Sequence, residues 1–182
     1  MTAARPKRLT RDDWLSAGAK RLAAAGAEAL KAEPMARHMK TTKGSFYWHF
    51  KDVPDYHAQI LSAWEKAALA DLSSVLEGET GAVPRLRALA QSIAEPETGT
   101  ATESAIRSWA TTSAAARATL ARVDEARLSA LQGLLSETGI GNPEMARIIY
   151  AAGIGMERLG QTGTGDNRGS IGSLVDLVLA LR

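Results

Sequence analysis

Apolar residues recur at intervals of three and four along nearly the whole chain. They run from Trp14, Gly18, Leu22 and Ala25 near one end to Ile171, Leu174, Val175, Val178 and Leu181 near the other. That period lines one face of an α-helix. A strand needs a period of two, and no such alternation is present. The expected fold class is therefore all-α, with eight or nine helices and no internal repeat. A length of 182 residues buries a core without covalent staples. There is no cysteine, which removes disulfides and thiolate metal sites. No run of about 18 apolar residues occurs, so no membrane partner is expected. The basic opening MTAARPKR is not followed by an apolar stretch of signal length, and the expected location is cytoplasmic.

Punctuation divides the pattern. Thr10 and Asp13 read as a capping box for a first helix that stops at Gly26. A second helix spans about 32–39, with Pro34 in its first turn and Met35, Ala36 and Met39 on its apolar face. After a short break, a third helix carries the run TKGSFYWHFK to Lys51-Asp52. Asp52 then caps a helix with Tyr56, Ile60, Trp64, Ala67 and Val75 on one stripe, ending near Glu77. Residues 78–84 read as a loop, followed by helices over about 85–95, ended by Pro96 and Gly99, and over 102–112. A long helix over 115–137 follows. Asn142-Pro143 opens a helix whose stripe is Met145, Ile148, Ile149, Ala152, Met156 and Leu159. A Gly-rich loop, 160–169, leads to a last helix capped by Ser170.

Charge is unevenly spread. Residues 1–51 hold eleven Lys/Arg against four Asp/Glu, and the remainder holds eleven against sixteen. A basic first third on an acidic remainder is the footprint of a polyanion-binding head. Four of the nine aromatics lie inside residues 46–50, between Lys43 and Lys51. Three short helices with a tight break before the third match a helix-turn-helix, whose third helix enters the major groove of DNA. Phe46 and Phe50, four apart, share a face and belong to the core. Tyr47 and Trp48 then join Thr42, Lys43 and Ser45 on the outer side, where hydroxyls, amines and amphipathic rings anchor a phosphate backbone. Gly44 costs helix stability and allows close approach of the backbone to DNA.

Residues 35–51, MARHMKTTKGSFYWHFK, resemble the DNA-binding signature of the TetR family of transcriptional regulators. The resemblance covers about residues 10–60; beyond that only the number and layout of helices agree. It implies a helix-turn-helix DNA-binding domain over 1–54 and a helical effector-binding and dimerisation domain over 55–182. It also implies a homodimer through the last two helices, double-stranded operator DNA as partner, and a small-molecule effector that lowers DNA affinity. Carried over, Thr42, Lys43, Ser45, Tyr47 and His49 fall on DNA-contacting positions and Lys51 on a phosphate-contacting one. Two positions depart from the family: Lys40 stands where glycine is usual in the turn, and Thr41 where an apolar residue is usual. Lys40 is thereby expected to adopt positive φ.

The second part is less explicit. Ala151, Ala152, Gly153 and Gly155 allow close approach of another helix, and residues 174–181 are apolar nearly all round, as a covered interface helix requires. Trp64, Ile106, Trp109, Tyr150 and Met156 are candidates to line an effector pocket, and Glu103 and Arg107 are spaced to pair. No cofactor is expected. The histidines lack metal-ligand spacing, and a divalent ion would have to use His57 with a nearby carboxylate such as Asp55. No nucleophile motif is present, and GTGDNRG lacks the Lys-Ser/Thr of a phosphate loop. The readings left open are a ligand-responsive repressor, a small-molecule-binding helical protein without operator binding, and an all-α enzyme.

Overall fold

The computed structural model describes residues 9–95, 100–163 and 165–180. Among the described residues there are nine α-helices and no strand: α1 Arg11–Ala25, α2 Ala32–His38, α3 Lys43–Tyr47, α4 Val53–Glu77, α5 Ala82–Ala94, α6 Thr100–Ala110, α7 Ala114–Glu137, α8 Pro143–Gly160 and α9 Asn167–Leu179. The all-α expectation holds. Several boundaries move. A 3-10 turn, Ala27–Leu30, fills what reads in sequence as plain loop. Helix α3 is shorter than the aromatic run suggests, leaving Trp48 and His49 in the turn that follows. Helix α5 starts three residues earlier than read, at Ala82, and α6 two earlier. Asp166, not Ser170, caps α9: its carboxylate accepts from the Gly169 amide at 3.0 Å. The stops assigned to Pro96 and Gly99, the basic opening, and Leu181 lie outside the described residues.

The chain forms two compact units. One comprises the described residues of Met1–Trp64 and Ala101–Ala118, the other those of Glu65–Thr100 and Thr119–Arg182. In the first, α1 opens with the reciprocal capping box of Thr10 and Asp13 and closes at Gly26, φ 72°. Trp14, Leu22, Leu30, Met35, Phe46, Phe50, Tyr56 and Ile60 are all buried. Ala25, on the expected α1 stripe, is exposed instead. Gly18 is the point of closest approach, since a Cβ there would overlap the Tyr56 hydroxyl and meet Ile60 Cδ1 at 2.6 Å. That hydroxyl donates to the Trp14 carbonyl at 2.7 Å, and burial pushes the phenol's pKa up.

The second unit is built on α5, α8 and α9, which pack on one another, with Leu131, Leu134 and Leu135 of α7 in the same core. Gly153 lets α8 approach α5, where a Cβ would stand 2.7 Å from Ile93 Cγ2. Asn167 bridges two helix ends, donating to the Ala94 carbonyl at 3.2 Å and the Met156 carbonyl at 2.8 Å. The stripe read on α8 is only partly inward: Ile149 is buried, but Ile148 and Leu159 are exposed (46% and 58%), as is Leu177 of α9 (64%).

Candidate nucleic-acid interface

The segment between α2 and α3 closes by two backbone bonds. The Thr41 amide donates to the Ala36 carbonyl at 2.9 Å and the Lys40 amide to that of Arg37 at 3.2 Å. This six-to-one, five-to-two pair is a Schellman closure, which needs a left-handed residue in the second-to-last place. Lys40 occupies it with φ 53°, the one non-glycine residue at positive φ among those described. The same closure ends α7, there with Gly139 at φ 92°. Thr42 then caps α3, its hydroxyl accepting from the Ser45 amide at a long 3.4 Å.

Five residues make too short a helix to persist by themselves. What holds α3 is the ring cluster beneath it. Phe46 lies 5.6 Å edge-on from Trp14, 5.1 Å from Phe50 and 5.1 Å edge-on from Tyr56. Each such pair contributes about 0.5–1.5 kcal/mol beyond its area. With Phe46 and Phe50 turned in, Thr42, Lys43 and Gly44 are exposed, Ser45 is half-buried, and Tyr47 and Trp48 are 47% and 80% exposed. The His49 ring is half-buried, 6.5 Å from Trp14 and 6.2 Å from Phe50. Lys51 is exposed in the turn to α4. Within residues 42–51, two lysines, hydroxyls and two amphipathic rings thus remain outside the core.

A side-chain chain behind Lys51 has no counterpart in the motif reading. Asp52 caps α4, accepting from the Asp55 amide at 2.8 Å. Asp55 in turn accepts from the Lys51 amide at 2.9 Å and from the Gln59 side-chain amide at 2.8 Å. Gln59 accepts from Arg11 Nε of α1 at 2.6 Å. The Gln59 bond first, then the Lys51 amide, hold the Asp55 carboxyl below the usual range. The spacing Asp52-x-x-Asp55 is the sequence signal that carries part of this; the partner on α1 has none.

The five candidates for an effector pocket are distributed over both units. Trp64 is half-buried, Ile106 fully buried, and Trp109 stands edge-on to the His57 ring at 5.0 Å, all in the first. Tyr150 is buried in the second and donates to Asp124 Oδ1 at 2.6 Å, and Met156 packs on the core there. A cleft of about 360 Å³ between α1 and the end of α2, bordered by Asp13, Ser16, Lys20, His38 and Met39, includes none of the five. Glu103 and Arg107 pair at 2.8 Å within α6. Among the described residues no group of three His, Asp or Glu is placed to hold a metal. Asp55 is spent on Lys51 and Gln59, and His57 is hydrogen-bonded to the Leu30 carbonyl.

No family model and no curated protein matches the sequence. Solved structures do match in fold. A Rhodococcus sp. protein assigned to the TetR family of transcriptional regulators superposes with a TM-score of 0.78 at 21% identity, over 93% of this chain and 98% of that one. A transcriptional regulator from Saccharomonospora viridis in complex with choline gives 0.75 at 16% identity, over 91% and 95%. The superantigen PfiT gives 0.73 at 17%, over 96% and 97%. The chain therefore has the fold of the TetR-family regulators. No helix among the described residues is long and apolar enough to cross a membrane.

Proposed function

We propose that this chain is a ligand-responsive transcriptional repressor, which binds a pseudo-palindromic operator as a homodimer and is released by a small-molecule effector. Residues 1–54 form the helix-turn-helix DNA-binding domain, and residues 55–182 the effector-binding and dimerisation domain. The observation that carries the reading is the division of the aromatic run. Phe46 and Phe50 are sealed inward, while Tyr47 and Trp48 stand out beside Lys43 and Lys51. A fold shared with a superantigen does not by itself decide function. A basic, ring-bearing short helix after a tight turn is what favours DNA.

Dimerisation through α8 and α9 is supported by the outward Ile148, Leu159 and Leu177 and by Gly155, which has open space where a Cβ would be. An effector is supported by the choline bound to the Saccharomonospora regulator. The residues proposed to contact an effector are Trp64, Ile106 and Trp109 in the first unit and Tyr150 and Met156 in the second. In this reading the protein acts in the cytoplasm and is a regulator, not an enzyme.

The deciding measurement is binding to duplex DNA from the region flanking its own gene, titrated across salt. Affinity should fall steeply as salt rises. Lys43→Ala should weaken binding to every duplex and reduce the salt slope by about one. A wild-type protein that binds no duplex at low salt would end the reading.

A further inference from the structure

Resting on the DNA-binding reading above, we propose that Asp55 is a positioning residue for phosphate contact: its carboxylate fixes the backbone of Lys51, and Gln59 and Arg11 hold that carboxylate in place. An acid beside a phosphate-binding surface needs an explanation, because its charge repels the partner. Capping of α4 accounts for Asp52, whose Oδ1 accepts from the Asp55 amide. It does not account for Asp55's own carboxylate. In a capping box the third helical residue reaches back to the cap's amide. Here Oδ2 reaches one residue further, to the Lys51 amide outside the helix, at 2.9 Å.

The other oxygen is equally committed. Oδ1 accepts from Gln59 Nε2 at 2.8 Å, and Gln59 Oε1 accepts from Arg11 Nε at 2.6 Å. The relay thus starts on α1, crosses α4 and ends on the turn that carries the lysine. Arg11 and Lys51 both lie close enough to favour the charged form of Asp55, so the carboxylate's field at the surface is offset locally. The carboxyl is ionised at neutral pH, and the Gln59 and Lys51 bonds favour that charged form further by holding its pKa below the usual range. A lysine is a point charge on a long, flexible stem. Fixing its backbone reduces the range its ammonium must search, which is how a fixed acid strengthens a contact with an anion.

The two effects of Asp55 have opposite signs, and this makes the proposal testable. If Asp55 merely repels DNA, Asp55→Ala tightens binding. If it positions Lys51, the same change weakens binding, by about tenfold, the scale of a lost hydrogen bond to a charged group. Anisotropy titrations of wild type, Asp55→Ala, Asp55→Asn, Lys51→Ala and the Asp55→Ala/Lys51→Ala pair would use the flanking duplex and a random-sequence duplex over a salt series. Asp55→Ala should lower the salt slope as Lys51→Ala does and cost nothing further in the Lys51→Ala background. Asp55→Asn keeps an oxygen for the Lys51 amide and should retain most of the affinity. Gln59→Ala leaves the α4 cap untouched. Should Asp55→Ala melt early, Gln59→Ala decides, with a smaller loss that also vanishes without Lys51. Tighter or unchanged binding by Asp55→Ala, or losses that add to that of Lys51→Ala, overturn the positioning role alone. A wild type that binds neither duplex overturns the regulator reading with it.

Discussion

Lys40 carries a left-handed backbone that glycine adopts without penalty and an L-residue adopts at about 1–2 kcal/mol. The closure of α7 by Gly139 is the internal control: the same pair of hydrogen bonds, with glycine in the strained place. Lys40→Gly should therefore raise the melting temperature by a few degrees, about 2–4 °C for each 1 kcal/mol in a chain of this size. Thermal unfolding followed by circular dichroism checks it, and an unchanged or lower midpoint would show that the strain is relieved elsewhere. His57 is the second residue with a readable consequence. Burial lowers its pKa, against the hydrogen bond to the Leu30 carbonyl and the charge of Glu28, and Nε2 is buried without a partner. The unfolded chain binds its proton near the ordinary value of about 6.5, the folded chain only below that. The contribution to stability is complete above the unfolded value and is lost as pH falls through the folded one. Wild type should thus lose stability relative to His57→Gln on going from neutral to mildly acidic buffer, as read by urea unfolding at each pH.

At the scale of elements, α3 shows how a helix too short to stand alone is kept by what lies under it. Its inner residues pack on Trp14 and Tyr56, while Gly44 on the outside meets nothing nearer than the Thr42 hydroxyl at 3.7 Å. Alanine therefore fits Gly44 sterically and gains about 1 kcal/mol of helix propensity. Gly44→Ala should raise the unfolding free energy in urea and lower affinity for duplex DNA, because the added methyl holds the backbone off the groove. A variant that gains stability and binds as before would show that close approach at this position is not needed.

For the whole molecule, the outward apolar residues of α8 and α9 set the expectation. Ile148, Leu159 and Leu177 are exposed, and one side of a helix left so apolar is ordinarily covered. The pair Ile148→Glu and Leu177→Glu should convert a dimer to a monomer at micromolar concentration, seen by sedimentation velocity. It should also weaken operator binding far more than binding to a single half-site, since two recognition helices then no longer share one ligand. A wild type that sediments as a monomer would remove the dimer from the mechanism.

What the sequence determined by itself is local. The period of three and four made every element a helix. Thr10 with Asp13, Asn142 before Pro143, and Gly26 marked ends correctly, because caps act within four residues. The inward turn of Phe46 and Phe50 followed from spacing, and the positive φ of Lys40 from the glycine usual at that place in the family that the segment resembles. Tertiary structure decided the rest. It ended α3 at Tyr47 and turned Ile148 and Leu159 of the α8 stripe outward. It also tied Arg11 to Lys51 through Gln59 and Asp55. Periodicity says which side of a helix is apolar. Which neighbour covers that side, and which distant side chain completes a hydrogen bond, depends on contacts 48 residues apart along the chain, as between Arg11 and Gln59, and no local pattern encodes them.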